Sequence, residues 1–168
     1  MKSLLVVYSY HHNNTEKIAK VFSRVFNAQL KTPQQTDPKE LQDYGLIGFG
    51  SGIYSSNFHE DLLTLADKLP EVVDGRAFLF STSGAPAFFD KYGSYRESYA
   101  RKCHTQIREK LQSKGYMIVG EFSCAGHNTN SFLKLFGGIN KGKPNAEDLK
   151  LAEEFALNMK QTLQKNET

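Results

Sequence analysis

The segment between residues 9 and 15 concentrates side chains that can hold a ligand by hydrogen bonds. It reads SYHHNNT and follows an apolar run. A helical pattern begins directly afterwards, so the loop lies at a helix N-terminus, where free backbone amides and the helix dipole favour an anion. The loop contains no Lys or Arg, which suits a phosphate monoester better than a triphosphate with magnesium. A second interpretation is that Asn13 caps the helix and Glu16 completes a capping box.

Two further polar segments follow apolar runs. One spans residues 51–57 and reads SGIYSSN, and the other spans residues 81–84 and reads STSG. In a parallel sheet the carboxyl ends of the strands share one edge, and ligands bind there at the switch point in strand order. We therefore predict that all three segments line one site.

The elements that must position these segments alternate between strand and helix. Apolar runs predict strands at residues 4–8, 46–50, 77–80 and 116–122, with a weak strand at 28–32. Apolar stripes with helical spacing predict helices after residue 15, at 60–69, at 95–113 and from Asn145 onward. The alternation predicts a three-layer α/β fold, a doubly wound five-stranded parallel sheet, as one domain over residues 1–168.

Composition excludes several classes of function. Lys and Arg total 21 against 18 acids, a net charge of +3, and the basic residues are scattered, which argues against nucleic-acid binding. No apolar run approaches the length of a bilayer span, so we expect no membrane insertion. Cys103 and Cys124 have no paired spacing, which favours a reducing cytoplasm. Adjacent His11 and His12 diverge on a loop, so we predict no metal site.

The first loop resembles the phosphate loop of flavodoxins, which opens with a small residue and ends Gly-Asn-Thr. Ser9 matches the opening residue, and Asn14 and Thr15 match the last two positions. Asn13 stands where the family usually has Gly, and the two histidines stand where it usually has Thr or Ser. Together with the segments at 50–54 and 81–84, the resemblance extends over nearly the whole chain. It implies a flavodoxin-like sheet with strand order 2-1-3-4-5.

The resemblance also implies bound FMN, with its phosphate on the first loop and its isoalloxazine ring between the second and third. Tyr54 matches the aromatic residue that often flanks the ring, and a second wall would come from Phe88, Phe89 or Tyr92. The implied cofactor-binding residues are Ser9, Tyr10, His11, His12, Asn13, Asn14, Thr15, Ser51, Gly52, Ile53, Tyr54, Thr82, Ser83 and Gly84.

The resemblance favours an electron carrier between redox partner proteins, with no catalytic residue of its own. An FMN-dependent oxidoreductase acting on a small acceptor, such as a quinone or protoporphyrinogen, is the alternative. A flavin-free binding module on the same fold is a third hypothesis. Flavodoxins tend to be strongly acidic, whereas this chain carries +3, which indicates an acidic partner or a small-molecule acceptor.

The connection at residues 124–144 is long for a compact domain, which suggests a function. It forms either a short helix packed on the body, a lid over the ligand, or a docking surface. Cys124 begins it at the ligand-binding edge of the sheet, where a buried, inert thiol is the commoner outcome.

Overall fold

Five parallel strands form the centre of the molecule. The computed structural model describes residues 1–10, 12–85, 94–130, 133, 135 and 137–165. The strands are paired in the order β2-β1-β3-β4-β5, which confirms the predicted sheet. Their bounds are β1 Ser3–Tyr8, β2 Gln29–Lys31, β3 Leu46–Gly52, β4 Gly75–Ser83 and β5 Tyr116–Ala125.

Helices cover both faces of this sheet, which completes the predicted three layers. Helices α1 (Asn14–Phe26) and α5 (Ala146–Lys165) pack on one face. Helices α2 (Glu60–Asp67) and α4 (Thr105–Ser113) pack on the other face, and α3 (Ser94–Cys103) leads into α4. The proline-containing connection between β2 and β3 forms two short 3-10 helices. No helix in the described ranges is long and apolar enough to cross a membrane.

Alternation along the strands divides the core into two layers. Leu4 and Val6 of β1 point toward α2 and α4, and Leu5 points toward α1 and α5. On the α1 side, the ring of Phe22 meets the rings of Phe78 and Phe80 edge-on, with centroids 5.4 and 4.9 Å apart. Both faces of the sheet are therefore apolar, which explains why the strands read as continuous hydrophobic runs.

The helix predicted at residues 95–113 is interrupted at His104, which separates α3 from α4. The backbone stays hydrogen bonded there, with His104 N donating to Ala100 O and Arg108 N donating to His104 O. The imidazole is fully buried and reaches side chains of β4 and β5. A polar ring drawn to the sheet in this way accounts for the local irregularity, which apolar spacing does not encode.

Helix α5 begins as predicted after Asn145. The side chain of Asn145 accepts a hydrogen bond from Asp148 N at 3.1 Å, and the Asp148 carboxylate accepts one from Asn145 N at 2.8 Å. This reciprocal pair satisfies two backbone amides at the start of the helix.

Candidate functional site

A narrow cleft of about 70 Å³ opens at the carboxyl ends of β1, β3 and β4. Two contacts tie its walls together: Thr15 Oγ1 lies 2.8 Å from Thr82 Oγ1, and Ile53 N donates to Thr82 O at 3.0 Å. All three predicted segments therefore meet at one place. The predicted residues that line the cleft are Ser9, Tyr10, Asn14, Thr15, Gly52, Ile53, Tyr54, Thr82 and Gly84.

The first loop has a backbone conformation that glycine favours, at a position where this chain has none. His12 and Asn13 both adopt left-handed conformations, with φ of 55° and 51°. Asparagine is one of the few non-glycine residues that tolerate this region. Asn13 can therefore adopt the backbone conformation of this position in place of a glycine.

The capping-box interpretation of Asn13 and Glu16 is wrong. The side chain of Asn13 makes no capping hydrogen bond. Instead the hydroxyl of Ser9 accepts a hydrogen bond from Glu16 N at 3.2 Å, and the Glu16 carboxylate pairs with Lys20 at 2.7 Å. The loop bends back so that its first residue, rather than its last, supplies the acceptor.

Neutral dipoles dominate the electrostatics of the cleft. Among the described residues, no Lys, Arg, Asp or Glu lines it. The amides of Asn14 and Thr15 occupy the first positions of α1, where a helix offers no internal acceptor. An anion in the cleft would thus meet backbone amides, hydroxyl groups and the positive end of the α1 dipole.

The connection after β5, for which a lid over the ligand was one of three predicted roles, forms a wall of the cleft through residues that the sequence did not identify. Asn14 Nδ2 donates to His127 O at 2.9 Å, and Asn128 Nδ2 donates to Gly84 O at 3.3 Å. The ring of His127 also stacks on that of His12, with centroids 4.4 Å apart. The length of the connection was the available signal, but these partners are distant in sequence. The additional lining residues are Gly126, His127, Asn128 and Asn130.

Two glycines permit this wall to close. A Cβ on Gly84 would stand 2.5 Å from Asn128 Nδ2, and a Cβ on Gly126 would stand 2.9 Å from Asn14 Nδ2. Real Cβ atoms do not approach so closely, so a larger residue at Gly84 or Gly126 would displace the amide of Asn128 or Asn14 from its present position.

Tyr54 is held over Gly52 by a tight turn. Tyr54 and Asn57 exchange two backbone hydrogen bonds of 2.9 Å, and Ser55 and Ser56 between them both have positive φ, of 48° and 63°. This is the conformation of a two-residue I′ hairpin loop. Burial raises the pKa of the Tyr54 phenol, nearby Tyr8 raises it further and a backbone hydrogen bond with Tyr10 lowers it. The phenol is therefore neutral at physiological pH.

Other predicted residues do not line the cleft. The Ser51 hydroxyl is buried, donating to Gly52 O at 2.6 Å and accepting from His59 N at 3.0 Å, and the Ser83 hydroxyl accepts from Ala85 N at 3.1 Å. These two hydroxyls therefore stabilise the loops by hydrogen bonds to their backbone and do not line the cleft. His12 and Asn13 shape the first loop from outside the cleft, whereas His11, Phe88, Phe89 and Tyr92 lie outside the described residues.

The thiol of Cys124 points away from the cleft. It is 2% exposed and belongs to the apolar layer beneath α1 and α5. Within the described ranges, no group of three His, Cys, Asp or Glu residues is arranged to hold a metal ion.

Comparison with known proteins places the chain in a family. The uncharacterized protein MJ0298 of Methanocaldococcus jannaschii is 42% identical over 156 residues, which cover 93% of this chain and 96% of that protein. The chain belongs to the MJ0298 family. No protein-family model matches it.

Solved structures of other proteins share the fold of this chain. Flavodoxin 2 of Bacillus cereus is 17% identical with a TM-score of 0.67, covering 96% of this chain and 99% of that one. A flavodoxin from the domain Archaea is 14% identical with a TM-score of 0.61, covering 98% and 99%. A WrbA-like flavodoxin of Agrobacterium tumefaciens is 13% identical, also with a TM-score of 0.61 and the same coverage. The fold is flavodoxin-like.

Proposed function

We propose that this protein binds FMN and carries electrons between redox partners. The observation that supports the proposal is the convergence of three polar strand ends and the N-terminus of α1 on one cleft. A ligand with a phosphate at one end and a flat, weakly polar ring at the other matches these features in order.

The phosphate would occupy the narrow cleft. The backbone amides at the start of α1 and the hydroxyls of Ser9 and Thr15 are the donors on offer. Because no Lys or Arg of the described chain lines the cleft, binding relies on these dipoles and on exclusion of water. Neutral hydrogen-bond donors of this kind can bind a phosphate monoester. They attract polyanions in general less strongly than a basic loop does.

An unpaired buried atom tests whether FMN suits these residues. Asn14 Oδ1 is buried and has no hydrogen-bond partner, because the amide is fixed by the bond from its Nδ2 to His127 O. A buried acceptor without a donor costs free energy. The ribityl chain of FMN carries hydroxyl groups next to the phosphate, so it is a ligand that can supply the missing donor. The residues present fit the group.

The flavin ring would lie outside the cleft, against Tyr54 on one side and the backbone at Thr82 to Gly84 on the other. FMN supplies reversible uptake of electrons. The chain contributes orientation, through an aromatic face and a glycine that admits close approach, and it shields the ring from water.

The side chains around the cleft favour a carrier over an enzyme. Among the described lining residues no carboxylate is present, and His127, the lining group that could act as a general acid or base near neutral pH, has its Nε2 engaged with Gly137 O at 3.2 Å. The net charge of +3 suits an acidic partner protein. Reduction of a small quinone is the second candidate, and it rests on this same charge.

A flavin spectrum with one isosteric variant tests the proposal. We expect purified protein mixed with FMN and desalted to retain flavin absorbance. Asn14→Asp keeps the shape of the side chain, but it adds a negative charge at the phosphate end of the cleft and replaces the Nδ2 that donates to His127 O with an acceptor, so we expect the Kd for FMN to rise roughly hundredfold. Gln106→Glu, on the exposed surface of α4, adds the same charge elsewhere and should leave the Kd unchanged.

Kinetics separate the two candidate activities. A carrier should accept electrons from a reductase and show no steady turnover with NAD(P)H and a quinone. Sustained turnover with these small molecules would establish the oxidoreductase instead. Protein that retains no FMN would contradict both.

A further inference from the structure

Three aromatic rings pack together at the carboxyl ends of β1 and β3. The imidazole of His59 lies parallel to the ring of Tyr8, with centroids 3.5 Å apart and an angle of 5° between the planes. The ring of Tyr54 meets the same imidazole edge-on, at 5.2 Å and 81°, and meets Tyr8 at 5.9 Å and 81°. Tyr54 lines the cleft, whereas Tyr8 and His59 do not. The imidazole therefore packs behind the tyrosine that faces the ligand.

His59 is itself fixed by hydrogen bonds at both its backbone and its ring. Its backbone N donates to Ser51 Oγ at 3.0 Å, which ties the start of α2 to the end of β3. Its Nδ1 accepts from Asp61 N at 3.2 Å, so the side chain caps the N-terminus of α2. The side chain is 21% exposed. His59 thus has two separable roles, as an acceptor that caps a helix and as a ring that packs against Tyr54.

The other contacts of Tyr54 leave the orientation of its ring to this packing. The hydroxyl has a hydrogen bond with the backbone of Tyr10, which fixes the far end of the side chain. A Cβ on Gly52 would lie 3.2 Å from Tyr54 Cε2, so the ring lies close to the backbone there. His59 and Tyr8 supply the aromatic surfaces that pack against the ring itself.

We propose that His59 is a positioning residue for the flavin, because its ring holds Tyr54 in the orientation that forms a wall against the isoalloxazine ring. This inference rests on the proposed FMN site. A wall that is ordered before the ligand arrives loses less side-chain entropy on binding, and the ligand binds more tightly as a result. Tyr54 contacts the flavin in this account, and His59 acts through it.

Two substitutions separate the two roles of His59. His59→Asn keeps a side-chain acceptor at the N-cap, where Asn is a preferred residue, but removes the ring. His59→Phe keeps a ring beside Tyr8 and Tyr54 but removes the capping acceptor. We expect faster amide exchange in the first turn of α2 in His59→Phe, and a changed flavin site in His59→Asn.

The position of Tyr54 is measured first, in flavin-free protein. We expect nuclear Overhauser effects between the Tyr54 ring protons and the Gly52 α-protons in the wild type and in His59→Phe. In His59→Asn these effects should weaken, because the ring has lost the surface that holds it over Gly52. Effects of equal strength in the wild type and in His59→Asn would overturn the proposal.

The consequence for the flavin is measured with FMN and with riboflavin. For His59→Asn we expect both ligands to bind about fivefold more weakly, which is the entropy cost of ordering one side chain. The factor should be the same for the two ligands, because the substitution leaves the phosphate end of the cleft unchanged. Fluorescence of bound FMN should also rise, since contact with a tyrosine ring quenches it. His59→Phe should match the wild type in both affinity and quenching.

The outcomes distinguish this inference from the proposed function. Equal losses of affinity in His59→Asn and His59→Phe would indicate a general disturbance at the start of α2, and unchanged affinity in His59→Asn would show that the ring has no effect. Either result would overturn the inference while FMN binding stands. If wild-type protein binds no FMN, the proposed function fails. The Overhauser effects in flavin-free protein still decide whether His59 holds Tyr54.

Discussion

The cleft and the His104 network, which consists of Ser81, His104, Arg108 and Glu121, differ in the charged groups that they contain. The cleft is open to solvent, and its described lining carries no Lys, Arg, Asp or Glu. The His104 network is largely buried, and in it the imidazole and the Arg108 guanidinium both contact the Glu121 carboxylate at 2.7–2.8 Å. The difference follows from solvent: a cleft open to water can present backbone dipoles to a ligand, whereas charges out of water must be fixed to one another. The cleft is therefore built to bind, and the network to hold β4, β5 and α4 in place.

Breaking the network should have the largest effect on stability. Glu121→Gln leaves the Arg108 charge without its carboxylate and removes the charged partner of the His104 ring, and we expect the free energy of unfolding to fall by about 3 kcal/mol. Urea denaturation at pH 7 measures this. The control Glu40→Gln breaks a more exposed pair with Lys31 and should cost much less, because solvent screens it. A similar loss in both variants would show that the network has no special role.

Acid should weaken the same network. The pKa of Glu121 is about 2 in the folded protein against 4.5 for the free side chain. Its contribution is therefore complete above about pH 4.5 and is lost as the pH falls toward 2; the full contribution is about 3 kcal/mol. Unfolding curves between pH 6 and 2.5 should show this decline in the wild type. The curve of Glu121→Gln should be flatter, and parallel curves would contradict the assignment.

On the cleft side, the stability of the first loop depends on its backbone conformation. Asn13 has φ of 51°, which a β-branched residue adopts only with strain, so Asn13→Val should lower the free energy of unfolding by about 1–2 kcal/mol and weaken FMN binding. Asn13→Gly should preserve both properties, because glycine accepts this conformation. Thermal unfolding and FMN titration of the two variants test the pair. Equal behaviour would mean that the loop adopts another conformation.

The smallest effect should come from the turn beneath Tyr54. Ser56 has φ of 63° in a two-residue loop that favours glycine at this position. We expect Ser56→Gly to raise the free energy of unfolding by about 0.5 kcal/mol and to leave FMN affinity unchanged. Ser113→Gly, in the last turn of α4, should instead destabilise. A loss of stability in Ser56→Gly would exclude the proposed turn strain.

Local patterns predicted the fold because the spacing of apolar residues within each strand and helix indicates which of its faces are buried. The run at residues 4–8 is apolar on both faces, and Asn145 is a capping residue that indicates the start of α5. The cleft was predictable as far as it is built from strand ends, which always share one edge in a parallel sheet. Ser51 and Ser83 were predicted to contact the ligand, but they do not line the cleft, because alternation along β3 and β4 turns these side chains into the protein.

Long-range polar contacts were not predictable. The partners of Asn14 and of His104 lie on other elements, at His127 and at Ser81 and Glu121. No periodicity relates these positions, since hydrogen bonds between elements depend on register and side-chain direction. The interruption at His104 has the same origin: apolar spacing continues from α3 into α4, and only the polar ring departs from it.

The most direct test of the phosphate cleft is to titrate flavin-free protein with FMN and with riboflavin, following flavin fluorescence. The two ligands differ only in the phosphate. If the N-terminus of α1 and the Ser9–Thr15 loop hold that group, we expect FMN to bind at least about a hundredfold more tightly, which corresponds to about 2.7 kcal/mol. Equal affinity for the two ligands, or no binding of either, would contradict the account.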